Sequence, residues 1–212
     1  MTQSDRDRLL TVYRAMCSAR AFDDLSVSLG RRGEVRFHLS GAGHEGLAAL
    51  VPHLIGEDWL HPHYRNKAIL FARGLTAEAF CHALMATAES DSLGRRMPPF
   101  LCDARLHILS APTLVGNNAL QAVGVAAAVR DQSARPIVVC GIGDGGTQQG
   151  EYFEGLAEAA RSRLPVLFLI EHNHLALSTP TAGRTFYDLN GERPDSFMGI
   201  PITRIDGTDP ER

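Results

Sequence analysis

Between Gly141 and Gly150 the chain reads GIGDGGTQQG. Its first six residues satisfy G-x-G-x-x-G, a spacing at which backbone N–H groups can close around phosphate. One variable position is Asp144, and a carboxylate beside a phosphate site repels its ligand unless a cation lies between them. Mg2+ suits that place. It takes hard oxygen ligands, sits between one or two carboxylates and a substrate's phosphates, and turns repulsion into attraction. Asn173, just past the next apolar run, can add an amide oxygen, and a nearby backbone carbonyl another. Gly143, Gly145 and Gly146 let the backbone approach a diphosphate, and the following helix lends its positive N-terminus.

The competing reading is a dinucleotide fold, with Glu171 at the next strand's end holding a ribose hydroxyl. Two features count against it. The helix is expected only after Gly150, not directly behind the third glycine, and Asp144 would face pyrophosphate with nothing to neutralise it. Asp-Gly is also a common turn dipeptide.

These residues need a scaffold. Pro136 to Ile142 (PIVVCGI) and Pro165 to Ile170 (PVLFLI) read as buried strands, with a helix from Glu151 to Arg161 between them. Two apolar strands joined by a crossover helix indicate an α/β fold with a mostly parallel sheet flanked by helices. Ligands of such sheets bind at the strands' carboxyl ends, where Asp144 and Glu171-His172-Asn173 fall. Ala119 to Arg130 reads as a small-residue helix suited to close packing against another helix, of this chain or a second protomer. Ile200 to Ile205 is a candidate third strand.

Upstream, apolar residues from Leu9 to Val27 recur at helical spacing over residues 4–29, with Gly30 as the stop. A second helix is expected from about Glu45 to Leu54, and another from Thr76, with Thr76 as N-cap and Glu78 in the first turn. WLHPHYR at 59–65 reads as a loop, and residues 88–113 as a long ordered loop.

The chain has 212 residues, 44% of them hydrophobic and 21% charged, the balance of a globular protein. A net charge of −3 and 7% aromatic residues argue against a nucleic-acid or polybasic membrane surface. Four scattered cysteines without a CxxC pair indicate neither a disulfide framework nor a zinc site, and fit a cytoplasmic location. No apolar run approaches the roughly 20 residues of a membrane span.

The run GDGGTQQGEYFEGLAEAARSRLPVLFLIEHNHLALSTPT resembles the thiamine diphosphate motif of 2-oxo acid dehydrogenase E1 α subunits. AGHEG at 42–46, DWLHPHYR at 58–65, GRRMP at 94–98 and LQAVGVAAA at 120–128 match further blocks of that family, in order. GRRMP and STPT are closer to the branched-chain group, and TLVG at 113–116 to the pyruvate and acetoin type, so the substrate stays open within the 2-oxo acids.

The resemblance implies a thiamine diphosphate-binding fold with residues 1–60 as an N-terminal helical extension and residues 61–212 as the cofactor domain, incomplete at its C-terminal end. It implies Mg2+ held by Asp144, Asn173 and the backbone carbonyl of Leu175, with His172 replacing a family asparagine that is not a ligand. It places Gly143, Gly145, Gly146, Tyr64 and Arg65 at the diphosphate, and Thr113 and Val115 under the aminopyrimidine ring. His38 becomes the candidate catalytic residue, with Phe37 and Met97 lining the substrate pocket. Arg95 and Arg96 either steer an acidic substrate or solvate a loop. The implied reaction decarboxylates a 2-oxo acid and passes the acyl group to the lipoyl domain of an E2-type acyltransferase.

Implied partners are a β-type subunit in an α2β2 heterotetramer, which contributes a glutamate and a histidine to the chemistry. A further α-subunit histidine belongs to a loop past IDGTDPER, which marks this sequence as a fragment, a split subunit or a diverged short form. Three alternatives remain open at this point. They are acyl or two-carbon-unit transfer in biosynthesis, an NAD-binding oxidoreductase, and a non-catalytic interaction subunit.

Overall fold

The computed structural model describes residues 3–209. They form two compact units. Among these residues, one comprises those up to Gly56, Tyr64–Ala111 and those from Asp206, the other Glu57–His63 and Pro112–Ile205.

The first unit is helical. α1 (Gln3–Arg31) covers the expected 4–29 but runs on through Gly30, which does not stop it. Val12, Ala15 and Ala19 on its inner face pack with Ala48 and Ala68. α2 (Lys67–Arg73) and α3 (Ala77–Met85) complete the core. There Phe71 stacks on Phe80 at 4.5 Å and Phe22 tilts onto Phe80 at 5.1 Å. Thr76 caps α3 as expected, its side chain accepting from the Ala79 N–H at 3.1 Å. Glu45–His53 winds as a 3-10 helix around Pro52 rather than as an α-helix. α2 had no periodic signature in the sequence: it is short, and Lys67, which opens it, is buried. Residues 88–113 hold only one 3-10 turn, Ala104–Leu106, in keeping with an ordered loop.

The second unit is α/β. Its parallel sheet runs β1 (Trp59–His61), β2 (Val138–Gly143), β3 (Val166–Glu171), with β2 central. WLHPHYR is thus partly strand rather than loop. Its histidines read as polar, yet His61 is fully buried, with Nε2 2.7 Å from Gln121 Oε1. All six residues of β2 are buried, whereas β3 is only partly covered. α4 (Asn118–Val129) packs on β2 and on α5 (Gly150–Ser162). Small residues make that approach possible, since a Cβ on Gly155 would lie 2.9 Å from Ala119 Cβ. α4 thus has a helix partner, α5, within the same chain.

Beyond β3 the chain forms two-residue hairpins: β4 (Leu175–Ala176) with β5 (Thr179–Pro180), β6 (Arg184–Thr185) with β7 (Asp188–Leu189), and β8 (Ser196–Phe197) with β9 (Ile200–Pro201). The strand expected over 200–205 is only β9, paired antiparallel; Pro201 has no N–H to extend a ladder. Among the described residues no helix is long and apolar enough to cross a membrane.

Candidate functional site

β2 delivers the glycine run to the carboxyl edge of the sheet. After Gly143 the backbone turns directly into a 3-10 helix, Asp144–Gln148, before α5 begins at Gly150. Helical turns thus start at Asp144, seven residues before the α-helix expected from Glu151. Asp144 is 1% exposed. Its Oδ1 accepts from the Gly145 N–H at 3.0 Å, and its Oδ2 from the Thr181 hydroxyl at 2.6 Å. The Thr147 hydroxyl donates to its backbone carbonyl at 2.6 Å. A carboxylate accepts about four hydrogen bonds, so this pattern leaves lone pairs for a cation.

Register carries the second strand's residues to the same edge. Gly143 pairs with Glu171, so Asp144 and His172 leave the sheet side by side. His172 Nδ1 lies 3.4 Å from Asp144 Oδ2 and 3.1 Å from the Tyr187 hydroxyl. Burial, followed by the neighbouring His174, lowers the His172 pKa. Asn173 Oδ1 accepts from the Leu175 N–H at 3.0 Å, closing a turn that starts β4. Leu175 faces Pro180 in the ladder, and proline has no N–H to offer its carbonyl.

The glycines are demanded by their neighbours. A Cβ on Gly145 would lie 2.4 Å from Ala176 Cβ. One on Gly146 would lie 2.8 Å from side-chain carbons of both Ile142 and Val115. The structure therefore brings Val115 to one glycine and the β4 segment to the other. Gly116, at φ +89, closes the 113–116 loop against Gln149. Thr113 and Val115 are exposed there. Asn117 ties this loop to Glu151 at 3.0 Å, and Asn118 donates to the Gly141 carbonyl at 2.6 Å.

Among the described residues no group of three or more His, Cys, Asp or Glu side chains is placed to hold a metal. The available donors are one carboxylate, one amide oxygen and one carbonyl, all hard oxygens. That set suits a cation that keeps waters and shares a ligand's phosphates, as Mg2+ does. Glu171 is unsuited to a ribose: its carboxylate is fully buried, with Oε1 3.2 Å from His63 Nδ1.

The helical unit holds the remaining candidates. His38 is largely buried, with 11% of its side chain exposed, and among the described residues neither ring nitrogen has a hydrogen-bond partner. Burial first and the Lys67 charge second lower its pKa, against the opposing pull of Asp23. Phe37 beside it is 36% exposed. The Arg65 guanidinium lies 4.6 Å from the centroid of the Tyr64 ring, within cation–π range. Met97 is half-buried in the 88–113 loop. Arg96 is bound to Asp91 rather than presented to a ligand.

Sequence reasoning did not pick out Thr181, Asp23 or Lys67, and it set His172 aside. Thr181 had a signal, the STPT run; the other three had none.

A family model described as "Dehydrogenase E1 component" matches residues 13–212. The pyruvate dehydrogenase E1 component subunit alpha of Staphylococcus aureus is 29% identical over 205 residues, 96% of this chain and 52% of that protein. Its Bacillus cereus counterpart is 28% identical over 213 residues, 99% of this chain and 54% of that one. The mitochondrial 2-oxoisovalerate dehydrogenase subunit alpha 2 of Arabidopsis thaliana is 27% identical over 212 residues, 98% and 44%. The chain spans about half the length of the curated relatives it matches. With a match running over nearly all of its residues, the chain belongs to the dehydrogenase E1 component family.

Proposed function

We propose that this chain is the α-type part of a thiamine diphosphate- and Mg2+-dependent 2-oxo acid dehydrogenase E1 component. It acts on a 2-oxo acid together with a β-type partner, in an α2β2 assembly that passes the acyl group to a lipoyl domain. In this reading residues 1–60 are the N-terminal extension and residues 61–212 a thiamine diphosphate-binding domain. One observation carries it: a buried carboxylate, Asp144, at the carboxyl end of the central parallel strand, with Asn173 and Leu175 delivered from the adjacent one.

Bound thiamine diphosphate supplies the electron sink that stabilises the carbanion left when a 2-oxo acid loses carbon dioxide. The protein's part is to bind, orient and keep dry. Asp144, Asn173 and the Leu175 carbonyl hold Mg2+. The backbone at Gly143, Gly145 and Gly146 gives the diphosphate close approach, with the Gly145 N–H already bound to Asp144 Oδ1, and Arg65 adds a charge-assisted donor beside Tyr64. Thr113 and Val115 seat the aminopyrimidine. Phe37 and Met97 shield the substrate from water. His38, held neutral by burial and by Lys67, can exchange a proton with the substrate at either ring nitrogen.

Calorimetric titration of thiamine diphosphate into the chain with its β-type partner, with Mg2+ or with chelator, tests this. Binding should require Mg2+ and vanish in Asp144→Ala. Absence of binding, or NADH binding that survives both Asp144→Ala and chelator, overturns it.

A further inference from the structure

We infer that Asp23 and Lys67 are positioning residues: a buried ion pair that fixes the backbone of His38–Gly41 against that of Tyr64–Arg65. Both side chains are almost wholly removed from water, Asp23 and Lys67 at 3% exposure each. Lys67 Nζ lies 3.0 Å from Asp23 Oδ1. Neither charge spends itself on the other alone. Lys67 also donates to the Leu39 carbonyl at 2.6 Å and reaches the Tyr64 carbonyl at 3.4 Å. Asp23 Oδ2 accepts from the Gly41 N–H at 2.6 Å and from the Ser40 hydroxyl at 3.1 Å. His38 Nε2 is 3.8 Å from Asp23 Oδ1. Gly41 is pressed so close to Arg65 that a Cβ would meet its carbonyl oxygen at 2.7 Å.

One carboxylate from α1 and one ammonium from α2 thus grip two loops by their main chains. Burying such a pair costs desolvation that its attraction only roughly repays, so net stability is a weak reason to keep it. Fixed geometry is the better reason. The two loops carry His38, Tyr64 and Arg65, and small misplacements of such groups cost binding and rate. The link to ligand binding rests on the thiamine diphosphate reading above; the positioning of His38 does not.

The test compares wild type with two variants, Asp23→Asn and the charge-neutral Asp23→Asn/Lys67→Met, in the full chain with its β-type partner. Imidazole 15N resonances are recorded at fixed pH, with His38 assigned by His38→Gln among the nine histidines. Thiamine diphosphate affinity is measured with Mg2+ on the same samples. The expected result is a displaced or broadened His38 signal with the His82 signal unmoved. Cofactor affinity falls about tenfold in the double variant, while its Tm stays within a few degrees of wild type. Should Asp23→Asn, which leaves the buried Lys67 ammonium without its carboxylate, not fold, the charge-neutral double variant gives the His38 result by itself. A displaced His38 signal in a protein whose wild type binds no thiamine diphosphate supports the positioning role and removes the cofactor reading. An unchanged His38 signal in the folded variants overturns the inference, whatever the affinity does.

Discussion

Thr181 donates its hydroxyl to Asp144 Oδ2 at 2.6 Å, and so ties the segment after β5 to the end of β2. Both residues are buried. The bond aims the carboxylate: with Oδ2 anchored and Oδ1 on the Gly145 N–H, only the remaining lone-pair directions are open to a cation. Thr181→Val keeps the side-chain shape and removes the donor. Loss of a buried hydrogen bond to a charged group is worth about 1.5–3 kcal/mol. Mg2+-dependent thiamine diphosphate binding is expected to weaken by roughly tenfold or more, with Thr181→Ser close to wild type. Calorimetry on the two variants decides; equal affinity for Val and Ser assigns Thr181 to packing alone.

Gly145→Ala should be costly for a reason unrelated to phosphate. The new methyl would sit 2.4 Å from Ala176 Cβ. Overpacking of this kind costs about 1–3 kcal/mol, or a Tm fall of roughly 2–12 °C for a chain this long. Ala176→Gly removes the obstacle, so the double variant should recover most of the lost Tm. If it recovers stability but not cofactor affinity, the extra methyl obstructs the ligand as well.

How much of this could be read from residues alone depends on where the physics was local. β2 and β3 announced themselves as apolar runs, α1 by its period and α3 by its Thr76 cap. Asp144 stood out because a carboxylate inside a glycine run needs a counter-charge. What stayed hidden depends on long-range pairing. Lys67 looks like a surface residue until Asp23, far earlier in the chain, comes within 3.0 Å of it. His61 made a strand look like a loop because its polarity is answered by Gln121, 60 positions away. Thr181 is one of several hydroxyls in STPT, and nothing short of the β4–β5 hairpin says which one turns inward.

Acid stability should report on the buried His61. Burial lowers the pKa of His61, against a smaller opposing effect of its bond to Gln121. Burial also lowers His38 and His172, but His172 is exposed and His38 not fully covered, so solvent screening leaves them a minor share. A histidine whose folded pKa lies below its unfolded value of about 6.5 contributes stability that is fully present above that value. As pH falls below it, the unfolded chain takes up the proton first, and stability declines by up to about 1.4 kcal/mol per pH unit per histidine until the folded pKa is passed. Urea unfolding should therefore show a falling free energy from about pH 6.5 downwards. His61→Gln should flatten that slope by up to one proton's worth. An unchanged slope in this variant means that His61 does not stay neutral in the folded protein.

Arg65 offers the sharpest test of the diphosphate assignment, because charge and shape separate there. Its guanidinium carbon lies 4.6 Å from the centroid of the Tyr64 ring, within cation–π range. Arg65→Lys keeps the charge but gives up both the fork and the stacking. Arg65→Ala gives up everything. If the fork grips a diphosphate oxygen, affinity for thiamine diphosphate should fall about tenfold for Lys and on the order of a hundredfold for Ala. Affinity for Mg2+ alone, read by Mn2+ competition, should not move, since Asp144, Asn173 and Leu175 are untouched. Tyr64→Phe keeps the ring and should bind nearly as well as wild type, whereas Tyr64→Leu should approach the Lys variant. Equal losses for Lys and Ala would mean that geometry, not charge, dominates. No loss in either would place Arg65 outside the cofactor site and leave Asp144 as the only strongly charged side chain proposed to engage the cofactor.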